Sequence, residues 1–112
     1  MVPTSSPPTA AKPAAGRTAD RLARFRDRLR LPVIAAPMFL VSGPDLVLAA
    51  CRAGIGGAFP APNARTIEGL DAWLQRVSGE HAAMERAGGI VGPWALNLVT
   101  HSTYDRLGAE LD

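Results

Sequence analysis

Pro32-Val33-Ile34-Ala35-Ala36-Pro37 is a short, nearly continuous apolar run bounded by prolines. A run of this kind is typical of a parallel strand that is covered on both faces. Two further apolar runs, over residues 55–59 and 93–100, predict a second and a third strand.

Helix signals lie between the strands. Ser42 is predicted to cap a helix in which Pro44 suits the first turn and Asp45 stands where a capping-box acid would. This helix is expected to run to Ala53, and Gly54 is the expected C-cap glycine.

A second helix is predicted after Thr66, which can cap a pattern of apolar residues that continues to Val77. Residues 78–92 are polar and contain glycine, so they predict a solvated connection, with one further helical turn as an option over residues 82–87. After the third strand, Ser102 or Thr103 is expected to cap a last helix.

The chain has 112 residues, of which 47% are hydrophobic and 20% charged. Residues 1–16 are rich in proline and poor in large apolar groups, which predicts a disordered tail. Residues 17–30 predict an amphipathic helix with Thr18 as N-cap, whose apolar stripe is expected to pack over the end of a core. This stripe consists of Leu22, Phe25 and Leu29.

Composition excludes several classes of protein. No stretch reaches the roughly 18 consecutive apolar residues of a membrane span, so we expect no membrane insertion. The single cysteine, Cys51, cannot form an internal disulfide, and no Cys/His spacing suggests a metal site, so we expect a cytoplasmic protein without metal. Seven of the twelve Lys and Arg residues lie in residues 1–30, and one aromatic accompanies them, so we expect no nucleic acid partner.

The predicted order of helix, then three alternations of strand and helix, favours an α/β fold with parallel strands. A TIM (β/α)8 barrel takes about 250 residues, so residues 32–112 would supply about three of its β-α units. The alternatives at this point are a small open sheet and the N-terminal part of such a barrel.

In parallel α/β folds, ligands bind beyond the carboxyl ends of the strands. Residues 37–42 after the first strand contain no titratable group, so backbone amides, the Met38 thioether and apolar shape would have to recognise a ligand. Asn97 interrupts an apolar strand, which is consistent either with a ligand contact or with a structural hydrogen bond to a neighbouring loop. His101 follows at the strand end and is a candidate acid, base or anion partner, or else a loop residue.

Three other features have simpler interpretations. His81 is expected to be solvated, and Cys51 is expected to be a buried structural thiol rather than a nucleophile. Residues 54–57 resemble part of a dinucleotide-binding glycine motif, but Phe59 stands where its third glycine would be. Those glycines also join a helix to a strand instead of a strand to a helix, so we reject that motif.

Several blocks of the sequence together resemble the N-terminal part of the nitronate monooxygenases, formerly called 2-nitropropane dioxygenases. The likeness covers about residues 20–112, in the expected order and spacing. The blocks are residues 31–38, 41–46, 53–60, 63–66, 70–74 and 95–101.

This resemblance implies an FMN-dependent TIM barrel that oxidises alkyl nitronates with O2 to a carbonyl compound and nitrite. Ala36, Pro37 and Met38 match positions that contact the cofactor, and Asn97 matches a polar residue that faces the FMN. His101 is a weaker catalytic candidate, because the usual histidine of the family lies in a glycine-rich motif farther along the barrel. The loops that hold the FMN phosphate also lie farther along, so we expect the 112-residue chain alone to be inactive.

Two alternatives follow from the same residues. The FMN-dependent enoyl-acyl-carrier-protein reductases share the first-strand pattern and would use NADH and enoyl thioesters instead. A non-catalytic remnant that persists through association would also show unpaired strand edges.

Overall fold

The computed structural model describes residues 14–112, and within them the elements follow the predicted order. The helices are α1 (Ala14–Asp27), α2 (Pro44–Ala53), α3 (Ile67–Ala87) and α4 (Leu107–Leu111); the strands are β1 (Ile34–Ala35), β2 (Gly56–Pro60) and β3 (Trp94–Asn97). A 3-10 turn, Ala61–Asn63, follows β2. The expected disordered tail falls mostly on residues 1–13, which lie outside the described residues, whereas residues 14–16 belong to α1.

The three strands form one parallel sheet in the order β1-β2-β3. In the register of the sheet, Ala35 pairs with Gly57, and Gly57 pairs with Trp94, so these residues form one row across it. Parallel neighbours require a crossover connection, and α2 and α3 supply the two that join the strands. The predicted α/β fold with parallel strands is therefore confirmed.

The hydrophobic core lies between one face of the sheet and helices α2 and α3. The ring of Phe59 is fully buried and meets Trp73 edge to face, with ring centroids 5.7 Å apart. A Cβ atom on Gly57 would lie 2.8 Å from the carbonyl oxygen of Val47, so glycine is required for α2 to approach β2 this closely. The other fully enclosed members of this cluster are Leu48, Cys51, Ala61, Ala64, Leu70 and Val77.

Helix α2 begins and ends largely as its sequence predicts. Pro44 occupies the first turn, and Gly54 closes the helix with φ of 85°. The prediction that Ser42 caps this helix is wrong, because Gly43 is the N-cap residue and no side chain bonds there. Ser42 is buried and hydrogen-bonds the preceding loop instead.

Helix α3 is longer than predicted. Thr66 caps it by accepting a hydrogen bond from the backbone N–H of Gly69 at 2.9 Å, as expected. The helix continues without a break to Ala87, so the predicted polar connection is wrong over residues 78–81, the helical option over residues 82–87 is confirmed, and only residues 88–92 form a connection. The buried side of α3 extends from Val77 to His81, and this burial stabilises a segment that glycine and serine would otherwise weaken.

The N-terminal segment departs from its prediction. Helix α1 has no buried residue, and Leu22 of the apolar stripe is 57% exposed, so among residues 14–112 the stripe does not pack over the core as predicted. Thr18 lies inside the helix and donates its hydroxyl to the Ala14 carbonyl at 3.0 Å, so it is not the N-cap. Serine and threonine often bond the preceding turn in this way when they stand within a helix.

Strand β1 is short and is not covered on both faces. It comprises two residues instead of the six of the apolar run, and Ile34 is 53% exposed. Ile34 is exposed because, among the described residues, it lies on the face of the sheet opposite α2 and α3.

The last helix also begins differently. Arg106 is the N-cap of α4, with no side-chain hydrogen bond, so neither Ser102 nor Thr103 caps it. Thr103 hydrogen-bonds His101 instead, in the turn that follows β3.

Candidate functional site

The predicted cofactor residues lie at one edge of the sheet, where the parallel strands have their carboxyl ends. Because the strands are parallel, the loop after β1 and the end of β3 lie at the same edge. Met38 and Asn97 each lie three residues beyond the row formed by Ala35, Gly57 and Trp94. Two strand spacings, roughly 10 Å, separate the first strand from the third. The sheet therefore brings Ala36, Pro37, Met38 and Asn97 to one region.

The face of the sheet opposite the helices, called the open face below, is exposed along its two outer strands. Trp94 and Leu96 pack against the core, so the alternating residues Ala95 and Asn97 lie on the other face. Both are exposed, as is Ile34 at the far side of the sheet. The residues between them, Gly56 and Ala58, are small and buried. The surface is thus low and mostly apolar, with one amide at its carboxyl end.

The loop after β1 is held from inside by Ser42. Its hydroxyl accepts a hydrogen bond from the Met38 N–H at 2.8 Å and donates to the Ala36 carbonyl at 3.3 Å. The Met38 carbonyl in turn accepts from the N–H groups of Val41 and Ser42. The backbone groups of Met38 are therefore used within the loop, which leaves the thioether and its methylenes for a ligand.

The same loop is held from outside by Asn63, at the end of the 3-10 turn. Its amide nitrogen donates to the carbonyls of Met38, at 2.9 Å, and Ser42, at 2.7 Å, while its oxygen accepts from the Leu40 N–H at 3.0 Å. Leu40 has φ of 64°, a left-handed conformation that is unusual for a residue other than glycine. Phe39 and Leu40 are 70% and 75% exposed, so the loop presents apolar side chains to solvent.

Asn97 is exposed at the end of β3. Its exposure is inconsistent with a buried amide that a neighbouring loop satisfies. An exposed amide at this position can donate and accept hydrogen bonds with a ligand on the open face.

His101 lies four residues beyond Asn97, in an exposed turn. Its Nδ1 is 2.8 Å from the Thr103 hydroxyl and accepts a hydrogen bond from the Thr103 N–H at 3.2 Å. Since Nδ1 acts as an acceptor, the neutral ring carries its proton on Nε2. The contacts of His101 are local, and they suit a turn residue as well as they suit a proton donor.

Two titratable groups lie away from this edge. Cys51 is fully buried, as predicted, with its sulfur 3.7 Å from the Pro93 carbonyl oxygen, and burial raises the pKa of its thiol. The prediction that His81 is solvated is wrong, because it is 7% exposed and bonds the Gly92 carbonyl at 2.8 Å. The burial and contacts of these two side chains indicate structural roles.

Sequence reasoning missed the roles of Asn63 and Ser42. Asn63 follows a Pro-Ala-Pro stretch, where an Asx residue is commonplace, and its partners are more than 20 positions away in the chain. The sequence predicts Ser42 as a capping residue because it precedes Gly-Pro-Asp, and that pattern does not reveal the loop bonds.

Neither a membrane span nor a metal cluster is found in residues 14–112. No helix there combines the length and apolar character needed to cross a bilayer. No three His, Cys, Asp or Glu residues there are grouped so that they could hold a metal ion. In comparisons with known proteins, no family model, curated protein or solved structure matches the chain.

Proposed function

We propose that this chain contributes the first part of the flavin site of an FMN-dependent enzyme that oxidises alkyl nitronates, built on a TIM barrel. The resemblance of its sequence blocks to the nitronate monooxygenases is the starting point. The parallel order β1-β2-β3, with helical crossovers, is compatible with three consecutive units of such a barrel. The observation that carries the proposal is that a hydrogen-bonded apolar loop and the Asn97 amide lie at the same, carboxyl end of the parallel sheet.

The residues at this edge fit the ring system of FMN. A flat, largely apolar ring requires a low surface with a few placed hydrogen-bond groups. The open face provides small residues such as Ala95, and Asn97 provides both a donor and an acceptor. The set Ala36, Pro37, Met38 and Asn97 contains no positive charge for a phosphate, so the proposal assigns these four residues to the ring alone.

When bound, FMN would supply the redox chemistry, taking electrons from the nitronate and passing them to O2. Asn97 would fix the orientation of the ring through hydrogen bonds at its edge. Met38 and Ile34 would exclude water, since both side chains expose apolar atoms. The Nε2–H group of His101 would donate a hydrogen bond to the substrate, because the bonds to Thr103 engage only Nδ1.

The binding proposal is tested by titrating the ¹⁵N-labelled chain with FMN and following backbone amide and Asn side-chain signals. We expect weak, saturable shifts at Ala36, Met38 and Asn97, and their loss in N97A. The matched control is Q75A, which removes another amide side chain from an exposed position on α3, where it bonds Asp71. Shifts that are absent, or that lie away from these residues, would overturn the proposal.

The reaction is tested by nitrite release from an alkyl nitronate in air, with FMN added, using an enzyme that contains the whole barrel and the residues described here. We expect nitrite formation that declines when Asn97 is replaced by Ala. NADH consumption with an enoyl thioester, without nitrite from nitronates, would instead assign the site to the enoyl reductase reaction. Retention of stoichiometric FMN by the 112-residue chain would contradict the expectation that this chain is insufficient alone.

A further inference from the structure

We infer that Asn63 is a positioning residue of the proposed site: its side-chain amide sets the conformation in which the loop after β1 presents Met38 to a flavin. The inference rests on the proposed function for the identity of the ligand. The conformation of the loop can be measured independently of any ligand.

The three bonds of Asn63 require an amide at this position. Two carbonyl oxygens, of Met38 and Ser42, face its nitrogen, and one N–H, of Leu40, faces its oxygen. A carboxylate would place negative oxygen atoms against both carbonyls, and an alanine would leave all three backbone groups without this partner. The arrangement also fixes which end of the amide is nitrogen.

The loop that Asn63 holds is costly in two ways. Leu40 stands in the left-handed region, at φ of 64°. Phe39 and Val41, on either side, expose apolar side chains that would gain free energy by burial. Core packing demands neither feature, since none of these three side chains belongs to the core cluster. Strain and apolar exposure maintained by specific hydrogen bonds are typical of binding loops.

Met38 links the hydrogen bonds of Asn63 to the proposed flavin site. Ser42 accepts a hydrogen bond from its N–H, and Asn63 donates one to its carbonyl. The peptide groups on both sides of Met38 are therefore fixed, and with them the direction of its Cα–Cβ bond. Because Asn63 follows β2, the loop after the second strand sets the position of the loop after the first.

The test uses the full chain, with N63A, N63D and Q75A as variants and hydrogen exchange of backbone amides as the first readout. In N63A we expect the protection factor of the Leu40 amide to fall at least about tenfold, because its acceptor is lost. The amides of Phe59 and Leu96, in the sheet, should keep their protection, and Q75A should match the wild type throughout.

The N63D variant supplies a rescue that a general packing role would not. Its introduced carboxylate should loosen the loop at neutral pH. Below about pH 3.9, the ordinary pKa of aspartate, the neutral carboxyl group can donate one hydrogen bond again. We therefore expect Leu40 protection in N63D, relative to the wild type at the same pH, to recover on acidification. Equal Leu40 protection in N63A and wild type, or no recovery in N63D, would overturn the inference.

The second readout is the FMN titration of the same variants. If the loop must be held for binding, the apparent affinity for FMN, measured from the shifts at Met38, should be at least about tenfold weaker in N63A. Unchanged FMN-induced shifts in a loosened N63A loop would overturn the positioning role. If the wild-type chain shows no FMN-induced shift at this edge, the proposed function fails, whereas the hydrogen-exchange result still decides whether Asn63 holds the loop.

Discussion

The Nε2 atom of His81 donates a hydrogen bond to the carbonyl oxygen of Gly92 at 2.8 Å, which ties the middle of α3 to the segment that enters β3. A carbonyl oxygen can only accept, so Nε2 carries a proton. The other ring nitrogen lies 3.6 Å from the Glu85 carboxylate, which also pairs with Arg28. His81 is thus a buried link between α3 and the sheet.

We predict that H81A lowers the free energy of unfolding by about 1–3 kcal/mol, because the Gly92 carbonyl loses its buried donor. Denaturant unfolding followed by tryptophan fluorescence measures this. S78A, at an exposed position of the same helix, should stay within about 0.5 kcal/mol of the wild type. Equal stability of H81A and S78A would show that the bond contributes nothing.

Two glycines should respond to alanine in opposite directions. In G57A, the added Cβ would meet the backbone of Val47 at 2.8 Å, so we expect α2 to be displaced and stability to fall by about 1–3 kcal/mol. In G79A, the added Cβ has open space inside α3, and stability should rise by about 0.5–1 kcal/mol. Thermal unfolding of both variants tests the pair, and a stable G57A would contradict the close packing of α2 on β2.

The features that could be predicted from the sequence are those that depend on neighbours in the chain. Thr66 begins α3 and Gly54 ends α2 as expected, because their hydrogen bonds reach only three or four residues along the chain. Parallel pairing followed from the alternation of apolar runs with helical patterns. Asn63 could not be interpreted in this way, because its partners lie 21 to 25 residues away and are backbone groups that carry no sequence signal.

The sequence predicts too short a helix α3 for a related reason. Ser78 and Gly79 interrupt the apolar pattern, and Met84 is the only large apolar residue among residues 80–87. The signal that could have corrected this is the spacing of Val77, His81 and Met84, which continues one side of the helix. A histidine within that series is a candidate for burial with a hydrogen-bond partner, as the structure shows.

Leu40 provides a test of the loop that needs no ligand. At an ordinary exposed position, alanine is more stable than glycine by about 0.5–1 kcal/mol, because glycine has more freedom in the unfolded chain. At φ of 64° the order should reverse, since the left-handed conformation costs residues with a Cβ about 1–2 kcal/mol. We therefore predict that L40G unfolds at higher denaturant concentration than L40A. The usual order, with L40A the more stable, would show that Leu40 does not hold this conformation in solution.

The alkaline titration of the chain should report the C-terminal segment directly, because Tyr104 is its only tyrosine. Burial and the hydrogen bond donated to the Glu110 carboxylate raise the pKa of Tyr104 to about 12. Below pH 10 the phenol is neutral in both states, so this group leaves stability independent of pH there. Between about pH 10 and 12 the unfolded chain loses the proton first, so the free energy of unfolding should fall as pH rises.

Phenolate absorbance measures the pKa of Tyr104, and E110Q should lower this pKa, because the charge that opposes ionisation is removed while an acceptor remains. Titration of the wild type near pH 10, unchanged in E110Q, would show that Tyr104 and Glu110 do not interact in solution.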